Sequence, residues 1–202
     1  MQYAQDYDER YPIARSDEFS NAAFGSANNG RPTPNAWDRA IQPYMGVRVA
    51  DRAEITSVSA TIFRCPSDAT PPDASMISSY GANVKRRTYC MANTSSSNGA
   101  SAATSPVAGT GGNFYPGRPM TQVPDVAGTI HITERPSGVN IYGSFNGATC
   151  TAANLESTPS HFDGSNYLFF DGHVKWLLVE KTVGDAGTTA SPQGMWTRTA
   201  GD

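Results

Sequence analysis

Charge is scarce in this chain. Asp, Glu, Lys and Arg make up only 16% of the 202 residues, and the net charge is −3 with no basic tract. A nucleic-acid binder needs a clustered cationic surface to face phosphate, so nucleic acid is excluded as a main partner. Long apolar runs are also lacking. No stretch approaches the ~20 apolar residues of a membrane-spanning helix, and no secretory signal pattern opens the chain. The sequence begins inside what reads as a helix, so an upstream segment is expected.

Motifs for catalysis and metal binding are missing as well. His131, His161 and His173 are the three histidines, and they show no H-E-x-x-H or H-x-H spacing. There is no G-x-S-x-G elbow and no phosphate-cradling glycine loop. Glu134 with Asp163 or Asp171 would make a carboxylate pair, but no sequence feature brings them together. An enzyme is therefore not expected. The three cysteines, Cys65, Cys90 and Cys150, also lack metal-ligand spacing. With little Lys and much Ser, Thr, Asn and Gly, they suit an exported protein with one disulfide and one leftover thiol. The segment between Cys65 and Cys90 reads as a loop and a returning strand, which favours a Cys65–Cys90 bridge. Three buried, reduced thiols are the alternative.

What the chain does have is turns. It carries 19 Gly and 14 Pro, enough to make it loop-rich and poor in long helices. The length suits one α+β domain over residues 1–202 with a real core. Tyr3, Tyr7 and Tyr11 recur every four residues, so the start reads as the last turns of a helix that Pro12 ends. Asn35 is an N-cap candidate for a short helix carrying Trp37, Ala40 and Ile41, which Pro43 bends or stops. Strand candidates lie at 55–64, 79–83, 88–91, 129–134 and 139–145. Residues 93–112 are almost wholly Ser, Ala, Gly, Thr and Asn and read as a flexible surface loop. No internal repeat is present.

The sharpest local signal lies between His161 and Trp176. Asp171-Gly172, flanked by apolar β-formers, predicts a hairpin with a two-residue type I′ turn. That turn pairs Phe170 with His173, Phe169 with Val174, and Tyr167 with Trp176. One face then carries Tyr167, Phe169, Val174, Trp176 and Leu178 and should be the core. Residues 166–170, if extended, span roughly 16 Å, so His161 is expected at the opposite end of the hairpin from Asp171. Asp171 is then a turn residue and His161 a hydrogen-bonded packing histidine.

Several separate stretches carry a family resemblance. They are Tyr3-Ala4-Gln5-Asp6-Tyr7-Asp8 followed by Pro12, then Gln42-Pro43-Tyr44, Arg64-Cys65-Pro66-Ser67-Asp68 and Ser79-Tyr80-Gly81-Ala82-Asn83. The strand ending at Glu134 follows, and last comes His161, nine residues, then Asp171-Gly172. In this order they resemble a bacterial family of pilin-like proteins with a prepilin-type N-terminus and a C-terminal H-x(9)-D-G signature. The resemblance spans nearly the whole chain.

That resemblance implies a pilin-like head, in which the remnant of an N-terminal helix packs on an antiparallel sheet with long loops and a C-terminal hairpin. It implies a structural subunit of a type IV pilus-like or type II secretion-like filament at the cell surface or in the periplasm. The expected partners are other copies of the chain and the pilus or secretion assembly machinery, with membrane contact only through the upstream helix. Because pilin-like heads of type II secretion often hold calcium in a C-terminal loop, Ca2+ is a candidate, with Asp163, Ser165, Asn166 and Asp171 as oxygen ligands. Asx hydrogen bonds in a turn explain the same residues without an ion. A second functional class is a secreted carbohydrate-binding module stacking sugars on Trp37, Tyr115 or Trp196.

Overall fold

A computed structural model describes residues 2–12, 14, 37–46, 62–70, 88–92, 117–135, 149–157, 159 and 161–198. The expected strands at 79–83 and 139–145, most of the one at 55–64, the loop at 93–112 and Tyr115 lie outside these residues. The described part is mixed α+β. Its sheet comprises β1 (Tyr89–Ala92), β2 (Ile130–Glu134), β3 (Thr149–Cys150), β4 (Gly164–Phe169) and β5 (Val174–Leu178), in the order β3-β1-β2-β4-β5. Four strands, β1, β2, β4 and β5, run antiparallel, and the two-residue β3 pairs parallel with β1. Three short helices accompany it: α1 (Gln2–Asp6), α2 (Trp37–Ala40) and α3 (Ala152–Glu156).

Both faces of the sheet are covered, because successive strand residues point to opposite sides. Along β1, Tyr89 and Met91 join Tyr11, Trp37, Phe63, Val123 and Phe170 on one face. Cys90 and Ala92 join Leu155, Tyr167, Phe169 and Trp196 on the other. β2 switches its pattern in mid-course. Ile130 opposes Phe169 and Ile132 opposes Leu168, so His131 is an extra residue in a bulge. The bulge sends Ile130 to the second face and Ile132 to the first.

The N-terminal helix is shorter than the tyrosine spacing predicts. It ends at Asp6, and Asp8 and Glu9 reverse the chain at φ 52° and 56°. Tyr3 still stacks on Tyr7, with ring centroids 4.3 Å apart. Tyr11 lies past the reversal, with its N–H bonded to the Arg118 carbonyl and its ring in the core. Beyond α2, Pro43 opens a 3-10 turn, Gln42–Met45, so it redirects the helix as expected. At the C-terminus, Trp196 is fully buried and donates from Nε1 to Thr182 Oγ1 at 2.7 Å.

The disulfide joins Cys90 to Cys150, with Cα atoms 5.8 Å apart, and Cys65 is a buried free thiol. This corrects the expected Cys65–Cys90 bridge. Cys90 points to the second face of β1, where β3 brings Cys150 alongside. Cys65 lies by the first.

The hairpin forms, but its register is one residue from the expected one. Tyr167 opposes Lys175 and Asn166 opposes Trp176. Gly172 N–H donates to the Phe169 carbonyl, and Phe169 N–H to the His173 carbonyl, closing a three-residue loop over 170–172. Only Gly172 has positive φ, at 98°. The cause is Phe170, which leaves the ladder and stacks on His131, centroids 4.2 Å apart. A one-residue slip swaps the faces of the returning strand. Tyr167 and Phe169 are buried as expected, whereas Val174 and Trp176 are 63% and 46% exposed on the edge strand.

Candidate functional site

A tight turn builds the site. His161 and Gly164 exchange backbone hydrogen bonds at 3.0 and 3.1 Å. The two residues between them, Phe162 and Asp163, sit at φ 51° and 66°. This is the doubly positive backbone that a type I′ turn requires, here at a pair with no glycine. The Phe162 side chain is 97% exposed. By reversing the chain just before β4, the turn brings His161 back over the end of β2. Trp176 on β5 fixes it there, donating from Nε1 to the His161 carbonyl at 2.9 Å.

Glu134 ends β2 on the same face as Asn166. Its side chain is only 5% exposed. Two donors hold one carboxylate oxygen, Oε2: Asn166 N–H at 3.0 Å and Asn166 Nδ2 at 3.2 Å. The other oxygen, Oε1, lies 3.2 Å from His161 Nε2. A buried carboxylate needs such partners, since desolvation without them is costly.

Cys65 arrives from a loop. Phe63 is anchored in the core, and its carbonyl accepts the Thr88 N–H. Cys65 N–H donates to Thr88 Oγ1 at 2.6 Å. The chain then turns, with Asp68 N–H on the Cys65 carbonyl and Arg64 on Asp68. The sulfur ends 3.7 Å from His161 Nε2. Nearby, Tyr89 has its pKa raised, first by burial and then by the neighbouring Glu134 carboxylate. A cavity of about 160 Å³ opens beside the three groups, with Ser67, Asp68, Thr70 and Thr88 also on its wall.

Thiol, imidazole and carboxylate are the parts of a nucleophile–base–orienter relay, but their arrangement differs from one. In a relay the acid and the nucleophile meet opposite nitrogens of the ring. Here both meet Nε2. Among the described residues, this is the one group of three or more His, Cys, Asp or Glu side chains whose donor atoms converge as metal ligands would. The spacing rules miss it, because its members come from a loop, a strand end and a turn. The only sequence signal was that each lies in a separate stretch of the family resemblance.

The other sequence candidates fall elsewhere. Asp171 and His161 stand at opposite ends of β4, as expected. Asp171 Oδ1 accepts the His173 N–H at 3.1 Å and faces His173 Nδ1 at 2.7 Å. Those contacts, the backbone bond first, pull the Asp171 pKa down. The four oxygen ligands suggested for Ca2+ do not come together. Ser165 and Asn166 are consecutive strand residues pointing to opposite faces. Asp163 is exposed in its turn, and Asp171 lies at the far end. Trp37 and Trp196, suggested for sugar stacking, are 2% and 0% exposed and belong to the core.

No family model, curated protein or solved structure matches this chain.

Proposed function

We propose that the chain is the head of a pilin-like structural subunit, built into a type IV pilus-like or type II secretion-like filament. One observation carries this reading. Arg64–Asp68, Glu134 and His161 belong to three of the separated stretches on which the family resemblance rests, and these three pack together around one cavity. Motifs that recur in a fixed order have a physical reason to do so when they form one structural junction. The junction ties a loop, the middle of the sheet and the C-terminal hairpin into a single head.

In this reading function is assembly. A long apolar helix preceding α1 supplies the driving force, because its face is buried against neighbouring subunits. The head supplies lateral contacts, for which the β5 edge offers exposed Val174 and Trp176. The subunit waits in the inner membrane before assembly and stands at the cell surface or in the periplasm afterwards.

The test is to sequence the N-terminus of the mature protein from cells and to image the assembled material. A methylated residue opening a long apolar helix upstream of Met1, with filaments containing the chain, is the expected result. An ordinary cleaved signal peptide together with a monomeric product overturns the proposal.

A further inference from the structure

Two donor–donor distances at the Cys65–Glu134–His161 junction match the edges of a tetrahedral coordination geometry. The three donor atoms all lie within 4.8 Å of one another. A tetrahedral zinc ion holds sulfur at ~2.3 Å and nitrogen or oxygen at ~2.0 Å, which sets S···N and N···O edges of roughly 3.5 and 3.3 Å. The observed separations are 3.7 Å from Cys65 Sγ to His161 Nε2 and 3.2 Å from that nitrogen to Glu134 Oε1. Each of these two separations is within about 0.2 Å of its tetrahedral edge, and the third pair, Cys65 Sγ and the Glu134 carboxylate oxygen, lies within 4.8 Å.

The convergence of the donors on one atom points the same way. A single ring nitrogen, His161 Nε2, faces both an oxygen and a sulfur, and one proton on it cannot point at both. A dication at the centre satisfies all three donors at once. Supporting bonds already aim two of them. Asn166 holds Glu134 Oε2 and leaves Oε1 facing inward, and Thr88 fixes the Cys65 backbone. Trp176 holds the His161 carbonyl and with it the turn. Partners of this kind tune metal sites through ligand orientation.

We infer that Cys65, Glu134 and His161 bind one divalent transition-metal ion of the zinc class. Thiolate and imidazole select such an ion over the hard, oxygen-seeking calcium or magnesium. The adjoining cavity supplies water to the fourth position. The ion clamps the loop at 62–70 to β2 and to the turn before β4, joining residues 96 apart in sequence. The site stands independently of the filament reading.

The experiment uses the whole chain with its disulfide intact, stripped of metal and titrated with cobalt(II) alone and then zinc(II) alone. Expected are one equivalent of bound cobalt, visible bands of tetrahedral intensity and a sulfur-to-cobalt charge-transfer band, all displaced by zinc. The chain has three cysteines, and two of them are joined to each other. The charge-transfer band in the unmutated protein therefore identifies Cys65 without relying on any variant. Bound cobalt without that band, or no binding, overturns the inference. Glu134→Gln, which keeps the side-chain shape, should weaken zinc binding at least about 10-fold and keep the band. Zinc affinity equal to that of the unmutated protein removes Glu134 from the ligand set and overturns the three-ligand site.

Discussion

Trp176 lies across Gly164 so closely that an added Cβ would stand 2.6 Å from two atoms of its indole ring. The same indole donates to the His161 carbonyl. Gly164 is thus a packing requirement for the position of His161, and its backbone lies outside the left-handed region.

Gly164→Ala should therefore destabilise the fold by about 1–3 kcal/mol, as overpacking does. It should also raise the solvent exposure of Trp176. Urea unfolding gives the first quantity and tryptophan fluorescence quenching the second. Gly172→Ala makes a useful contrast, because a Cβ added there would meet nothing within 4 Å and only its φ of 98° resists substitution. It should lower stability without moving Trp176. A Gly164→Ala protein with native stability and native quenching would remove the indole contact from the account of the site.

The turn that carries His161 holds a bulky residue in the left-handed region. Phe162 has φ 51° and a side chain that is almost wholly exposed. That conformation costs roughly 1–2 kcal/mol for an ordinary residue, and Asn tolerates it better. Phe162→Asn should stabilise the protein by roughly 0.5–1 kcal/mol, because relief of strain is not opposed by lost burial. A rise in thermal midpoint with unchanged backbone spectra is the expected outcome. A fall would mean that the Phe162 ring makes a contact which its exposure rules out here.

The Cys90–Cys150 bridge closes a separation of 60 residues. Chain entropy then gives it roughly 4 kcal/mol of stabilisation. Replacing both cysteines by serine should lower the unfolding free energy by about that amount. Digestion without reductant should yield a Cys90–Cys150 peptide and an alkylated Cys65. A linked peptide containing Cys65 would contradict the pairing and the metal site together.

Much of the sheet was legible because its residues obey local rules. The strand at 129–134 and the hairpin strands alternate, and Thr88 to Met91 carry β-formers, so β1, β2, β4 and β5 were all expected. Trp196 was expected to hold the C-terminus, and it does. The hairpin register was not legible, because Phe170 is drawn from the ladder by His131 and Tyr11, partners distant in sequence. The Asp-Gly rule placed a type I′ turn at 171–172, whereas the hairpin end of the chain has its doubly positive pair at Phe162-Asp163, where tertiary packing overrides propensity. The disulfide followed strand pairing that sequence spacing could not express. The Cys65, Glu134 and His161 junction escaped the spacing rules for the same reason. Ligand-spacing rules detect donors on one local element, and these donors meet only once the sheet has formed.

His131 gives the last prediction, on pH. It occupies the β2 bulge, stacked on Phe170 and edge-on to Tyr11, with ring centroids 4.2 and 5.3 Å away. Among the described residues its Nε2 has no hydrogen-bond partner. Burial pushes its pKa down from 6.5 to about 3. A lowered histidine pKa means that the folded state refuses a proton that the unfolded chain accepts. The full stability is present above the unfolded value of 6.5, and it is lost as pH falls from there towards about 3. The slope is about 1.4 kcal/mol per pH unit, so roughly 2 kcal/mol is gone at pH 5. His131→Phe keeps an aromatic ring in the stack and has no proton to gain. Its stability should fall less between pH 7 and pH 5 than that of the unmutated protein, by about the same 2 kcal/mol. Parallel stability–pH curves for the two proteins would show that the imidazole is protonated within the fold, which its stacked and unpartnered environment argues against.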